Sequence, residues 1–221
     1  MTGQIEREEG SWDERERRLK ERLAKGGRKA LDAARTAVSD PDWPVRDTAV
    51  EALEYIGTAR DVPLLARVLS GDQQWEVRAS AAASLGRFRE PAGRRALRAA
   101  LEDPSADVRR YAAVSLARYG DPAAIPWLEA RLSRETDDRA RTGLLGGLYS
   151  LGRRVYLSPL LALLDSPDYV VRCQVVGTVE ALRAEVDEAA ISGVLRARLA
   201  VEEHPAVRDL LTHAFPGGQL P

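Results

Sequence analysis

The side chains able to do covalent or metal chemistry are few in this chain. Two histidines, His204 and His213, stand nine positions apart, and the one cysteine, Cys173, lies far from both in sequence. A catalytic zinc takes three protein ligands from His, Glu, Asp or Cys, and a cysteine nucleophile needs a neighbour that lowers its pKa. No His-Glu dipeptide is present, and His204 falls in the polar stretch EEHPAV, which reads as a loop. The glycines form no GxGxxG or GxxxxGK arrangement that would cradle a phosphate. These residues predict no catalytic centre, no metal and no cofactor.

Arginine, by contrast, is spaced. Val45-Arg46, Val77-Arg78, Val108-Arg109, Ala140-Arg141, Val171-Arg172 and Val207-Arg208 recur at intervals of 32, 31, 32, 31 and 36 residues. An acid stands six positions before the arginine at Asp40, Asp72, Asp103, Glu135 and Glu202, and the fifth repeat has Ser166 there with Asp165 beside it. A partly buried arginine can satisfy backbone carbonyls and a carboxylate at once. Arg46, Arg78, Arg109, Arg141 and Arg172, with Asp40, Asp72 and Asp103, thus form a ladder of recurring charge in the sequence; because they are part of the repeat itself, a structural role is expected, against the alternative that these arginines bind a ligand.

Helices must hold that ladder. Counted from each arginine, apolar residues fall at −1, +3, +7 and +10, an amphipathic stripe that predicts a first helix. Gly57, Gly120 and Gly152 follow at +11, where a left-handed cap would end it. Leu65, Leu97, Leu128, Leu160 and Ile191 at +19, with Leu69, Leu101, Leu132, Leu164 and Leu195 four later, mark a second helix. Pro41, Pro104 and Pro167 break the chain between repeats, and Trp43, Trp75 and Tyr169 are placed to cover the seams. A period of this length means stacked helical pairs rather than a chain folded around one pocket.

The motifs DPDWPVRDTAVEALEYIG, DPSADVRRYAAVSLARYGDPAAIPWLEARL and SPDYVVRCQVVGTVEAL resemble HEAT repeats, particularly the short bacterial type also found in phycobilisome lyases. The resemblance covers about residues 38–215 and implies an all-α fold: a right-handed α-solenoid of about five HEAT repeats with helical caps at both ends. Residues 1–38 are expected to form an N-terminal capping pair, 39–199 the repeats, 200–215 a C-terminal capping helix and 216–221 a disordered tail, all one continuous solenoid. Ser11 with Glu14 reads as a capping box at the first helix, and the four extra residues before Val207 lengthen the last second helix. Gly143, Gly146 and Gly147 crowd the first helix of repeat four, where each helical glycine costs about 1 kcal/mol against alanine. They mark a flex point or a close-contact surface for a partner, or else close packing between neighbouring helices or simple drift.

Composition narrows the partner. A charged fraction of 30% with a net charge of −1 gives no global reason for nucleic acid or membrane binding. No apolar run approaches the roughly 20 residues that span a bilayer. The N-terminus lacks a signal peptide's apolar core, and a single cysteine fits a reducing compartment, so a cytoplasmic location is expected. Thirty arginines against three lysines, with abundant alanine, suggest a GC-rich bacterial genome.

The function expected is non-enzymatic protein recognition through the concave face, as an adaptor, scaffold or inhibitor of the immunity-protein kind. If second helices line that face, Arg60, Leu64, Arg67, Arg95 and Trp127, flanked by Arg131, point outward, and Trp127 beside arginine has the composition of an interface hot spot. A nucleic-acid reading rests on residues 86–118, eight arginines against four acids, with Arg94, Arg95 and Arg98 on one short helix. The resemblance adds a third reading, lyase or chaperone-like handling of a tetrapyrrole-bearing protein.

Overall fold

The computed structural model describes residues 10–214, which form thirteen α-helices and, among the described residues, no strand. The chain divides into two compact units at Ala100/Leu101. Unit one holds α1 (Trp12–Ala24), α2 (Gly27–Ala37), α3 (Trp43–Ile56), α4 (Val62–Gly71), α5 (Trp75–Phe88) and α6 (Pro91–Ala100). Unit two holds α7 (Ala106–Arg118), α8 (Ile125–Leu132), α9 (Asp138–Ser150), α10 (Leu157–Ala162), α11 (Tyr169–Ala181), α12 (Glu188–Val201) and α13 (Pro205–Ala214). Each unit is a stack of helical pairs.

The repeat positions explain the cores. Leu53, Leu85, Leu116 and Leu148 at +7, and Leu65, Leu97, Leu128 and Leu160 at +19, are all completely buried. Each such leucine contributes roughly 1.5–3 kcal/mol of burial. The +10 position belongs to the stripe less than its spacing predicts. Ile56 is 36% exposed, Phe88, Tyr119 and Leu151 are half-buried, and only Leu182 is buried, because this last turn leaves the core as the helix ends.

Helix ends carry the other departures. Gly120 and Gly152 adopt the left-handed conformation at φ +68° and +89°, as the +11 glycines should. Gly57 instead has φ −70° and an extended ψ, and a Cβ there would meet the Leu53 carbonyl oxygen. The expected capping box at Ser11 is not formed: Ser11 is the N-cap of α1 but its side chain makes no capping hydrogen bond. The four extra residues do lengthen α12 to 14 residues. Phe215 and the tail 216–221 lie outside the described residues.

Within unit two the helices are not evenly spaced. Each first helix packs directly on the next, α7 on α9, α9 on α11 and α11 on α13, whereas α8 and α10 pack on α9 and α12 packs on α13. The row of first helices is thus the more closely packed one in this unit. Amphipathic spacing, from which the binding face is expected on the second helices, shows which side of a helix is buried but not which row is closer-packed.

Candidate functional site

The repeat arginines are arranged by the chemistry of the turn that precedes them. In each turn the acid accepts a bond from the backbone amide two residues on: Asp72 from Gln74 (2.9 Å), Asp103 from Ser105 (2.9 Å), Glu135 from Asp137 (3.0 Å) and Glu202 from His204 (2.9 Å). The arginine six residues later folds back onto the same turn. Arg46 donates to the Asp40 and Pro41 carbonyls, Arg78 to those of Asp72 and Gln73, Arg109 to those of Asp103 and Pro104, and Arg172 to those of Ser166 and Pro167, all within 2.8–3.3 Å. Its remaining edge reaches the next acid: Arg46 to Asp72 (2.7 and 2.8 Å), Arg109 to Glu135 (2.7 and 3.0 Å) and Arg172 to Glu202 (2.8 Å twice). Bidentate geometry of this kind fixes the angle between neighbouring repeats.

Two rungs differ from the sequence expectation. Asp40 is held by Arg15 of α1 at 3.0 and 3.1 Å, so the first helical pair is built like a repeat. Glu14, not valine, precedes Arg15, which hides this rung in the sequence. Arg141 makes no rung: its Nε is buried without a hydrogen-bond partner. The cause is Ser166, whose hydroxyl turns to Asp138 (3.3 Å) where an acid would have met the arginine. Arg139 bridges to Asp168 (2.8 Å) instead.

The crowded glycines of α9 are packing residues on two sides. A Cβ on Gly143 would lie 2.5 Å from the Arg110 carbonyl oxygen, and one on Gly147 3.2 Å from that of Ala113, both on α7. A Cβ on Gly146 would lie 2.5 Å from the Thr178 methyl on α11. Gly177, one position earlier on α11, has open space where its Cβ would be.

That open space belongs to a groove of about 590 Å³ on the first helices of unit two. One wall is α7, through Arg110, Val114, Ala117 and Arg118, which the helical repeat puts on one face. Gly146, Gly147 and Ser150 of α9 form the floor, and Gln174, Gly177, Thr178 and Ala181 of α11 the far wall, with Glu185 beyond. From Arg110 to Arg118 the wall is about 12 Å long. The Arg110 end is polar. Its guanidinium lies 3.9 Å above the Tyr111 ring and 3.5 Å from Asp107, yet its Nε is buried with no hydrogen bond. Asp107 is shared with Arg139 (3.6 Å) and Gln174 (3.5 Å), and Gln174 accepts from Thr142 (3.1 Å). Cys173, next to Gln174, is no activated nucleophile, because burial pushes its thiol above the ordinary range. This arrangement can hold a ligand; its walls contain no acid–base pair beside a nucleophile.

The residues expected to form an interface are distributed otherwise. Arg60 is exposed on the turn before α4, Leu64 is half-buried and Arg67 exposed on α4, and Arg95 and Arg98 are exposed on α6 beside a half-buried Arg94. All six lie in unit one. Trp127 and Arg131 lie on α8 in unit two, but Trp127 is half-buried rather than exposed. The Arg131 side chain is only 14% exposed, held by Glu135 (2.7 Å) and Glu102 (3.6 Å). Its place is in the ladder. Spacing alone missed the groove, whose signal was the small residues at the same offsets in repeats four and five, Gly146 and Gly177.

A family model for HEAT repeats matches residues 5–84 and 67–148, well over half of the chain. The chain belongs to the HEAT-repeat family, and the first match takes in α1 and α2. Among solved structures it is similar to the complex of CpcE and CpcF of phycocyanin lyase from Nostoc sp. PCC7120, with 20% identity over 94% of this chain and 91% of that one and a TM-score of 0.64. It is also similar to YibA of Escherichia coli, with 18% identity over 95% of this chain and 76% of that one and a TM-score of 0.56. Likeness at these identities shows the fold. Comparison with the curated proteins finds no significant match. Among the described residues no helix is long and apolar enough to cross a membrane.

Proposed function

We propose that this chain is a non-catalytic protein-binding module, an adaptor, scaffold or inhibitor, that seats a segment of its partner in the groove of α7, α9 and α11. HEAT repeats serve protein recognition widely, and a row of helices offers a long continuous surface. The observation that carries the reading is the groove itself: open space at Gly177 on its wall, small residues along its floor, and the Arg110 guanidinium at its end. The open space at Gly177, where no side chain fills the groove, leaves room for that segment. The arginines of the α7 wall, Arg110 and Arg118, favour an acidic side chain on the incoming segment.

A substitution at Gly177 separates this face from the other. Gly177→Trp fills the groove without meeting a neighbour at its Cβ, whereas Arg95→Ala with Trp127→Ala alters second helices. In affinity capture from nuclease-treated lysate, the protein held by the wild type should be lost from Gly177→Trp and kept by the double variant. The reverse pattern would put the partner on the second helices and reject the groove.

A further inference from the structure

The turn between α1 and α2 gathers positive charge that the groove does not use. From Arg17 to Lys29, seven cations stand against the single acid Glu21, and all three lysines of the chain are among them. Three cations are met within α1: Arg17 by Glu21 (3.1 Å), Arg18 by Glu14 (3.9 Å) and Lys20 by Glu16 (2.8 Å). The four nearest the turn share one surface, Arg22 with an interaction of its own. Arg22, Lys25, Arg28 and Lys29 line one concavity of about 690 Å³ in which Asp32 is the acid. Asp32 is shared between Arg28 (3.8 Å) and Arg35 (3.7 Å). Arg28 also lines an adjoining concavity of about 530 Å³, whose other wall carries Arg60. Arg35, in that second concavity, is neutralised by Asp61 at 2.6 Å.

We infer that this strip, from Lys25 through Lys29 and Arg28 to Arg60, binds the phosphate backbone of a nucleic acid. Two concavities joined at Arg28 suit an extended polyanion carrying a charge every few ångströms better than a single ion. Lys25, Arg28, Lys29 and Arg60 are all exposed, so they can meet phosphates with little burial. Neither concavity has an aromatic residue on its wall, so binding is by backbone charge, without base stacking or sequence reading. An anionic bilayer fits less well, because the exposed aromatic of α1, Trp12, stands at the opposite end of the helix, about 20 Å away. The strip lies in unit one and the groove in unit two, so either assignment can fail without the other.

The test is fluorescence anisotropy of the full chain with a labelled DNA duplex of about 20 base pairs, from about 25 to 200 mM salt. Four phosphate contacts predict a log–log salt slope of about −3.6. Lys25→Glu with Lys29→Glu should weaken binding at least tenfold and reduce the slope by about 2 units. Arg95→Glu with Arg98→Glu, on α6, should leave both unchanged. Absence of binding at the lowest salt, or binding that survives the Lys25/Lys29 reversal, would overturn the assignment. So would tighter binding to phosphatidylserine vesicles or to polyglutamate than to the duplex.

Discussion

Arg109 and Glu135 are joined by two near-parallel bonds, Nε to Oε2 at 2.7 Å and Nη2 to Oε1 at 3.0 Å, with side chains only 10% and 1% exposed. The same carboxylate also receives Arg131 and the amides of Thr136 and Asp137. Glu202 is built the same way, between Arg172, Arg198 and the His204 amide. These two acids anchor unit two, and the unmade rung at Arg141 lies between them.

The contrast between rungs sets an order of stabilities. Removing one partner of a buried ion pair leaves the other uncompensated, at about 3–5 kcal/mol. Arg109→Met is expected near the lower end of that range, since Arg131 still meets Glu135. Arg141 has no acid to abandon, so Arg141→Met should cost less than about 1 kcal/mol or stabilise slightly. Urea unfolding of the two variants checks the ranking, and equal losses would contradict it.

Acid should loosen the ladder in a defined interval. Burial alone would raise the Glu135 pKa, but Arg109, the Asp137 amide and Arg131 overcome it and hold the group at about 2. The Arg172 bond, opposed by burial and aided by the His204 amide and Arg198, holds Glu202 at about 2 as well. A carboxylate depressed from its unfolded value of 4.5 stabilises the fold fully above about pH 4.5, and that stability is lost as pH falls toward 2. Glu135→Gln with Glu202→Gln should lower stability at neutral pH and flatten the acid limb of a midpoint-against-pH curve. An unchanged acid limb would mean that other carboxylates govern it.

Two glycines only a few ångströms from the same groove should respond oppositely to alanine. At Gly143 the new methyl would meet the Arg110 backbone, an overpacking expected to cost about 1–3 kcal/mol. At Gly177 it meets nothing, and the gain in helix propensity should stabilise by up to about 1 kcal/mol. Thermal unfolding of Gly143→Ala and Gly177→Ala reads both signs.

Much of the architecture was legible in the residues. The 31–32-residue period located the helical pairs, and the leucines at +7 and +19, such as Leu85 and Leu97, are buried as an amphipathic stripe requires. The recurring acids and arginines were visible in the sequence, but not that an arginine reaches the acid of the next turn, as Arg46 does Asp72. Ser166 in the acid's place was itself the sign that Arg141 would stand apart, because a hydroxyl cannot replace a bidentate carboxylate. The groove was not legible. Its depth depends on how closely α7, α9 and α11 pack, which follows from glycines meeting backbone in three dimensions rather than from periodicity. How closely each row of helices packs was hidden for the same reason.

The central claim is that a partner segment occupies the groove beside Gly177. It is tested most directly by placing a photo-crosslinking phenylalanine analogue at Gly177, and separately at Gly193 of α12, where a Cβ also meets nothing. After irradiation in the source cells, position 177 should yield one discrete adduct to another protein and position 193 none. An adduct from 193 alone, or none from 177 under conditions where the wild type captures its partner, would contradict the account.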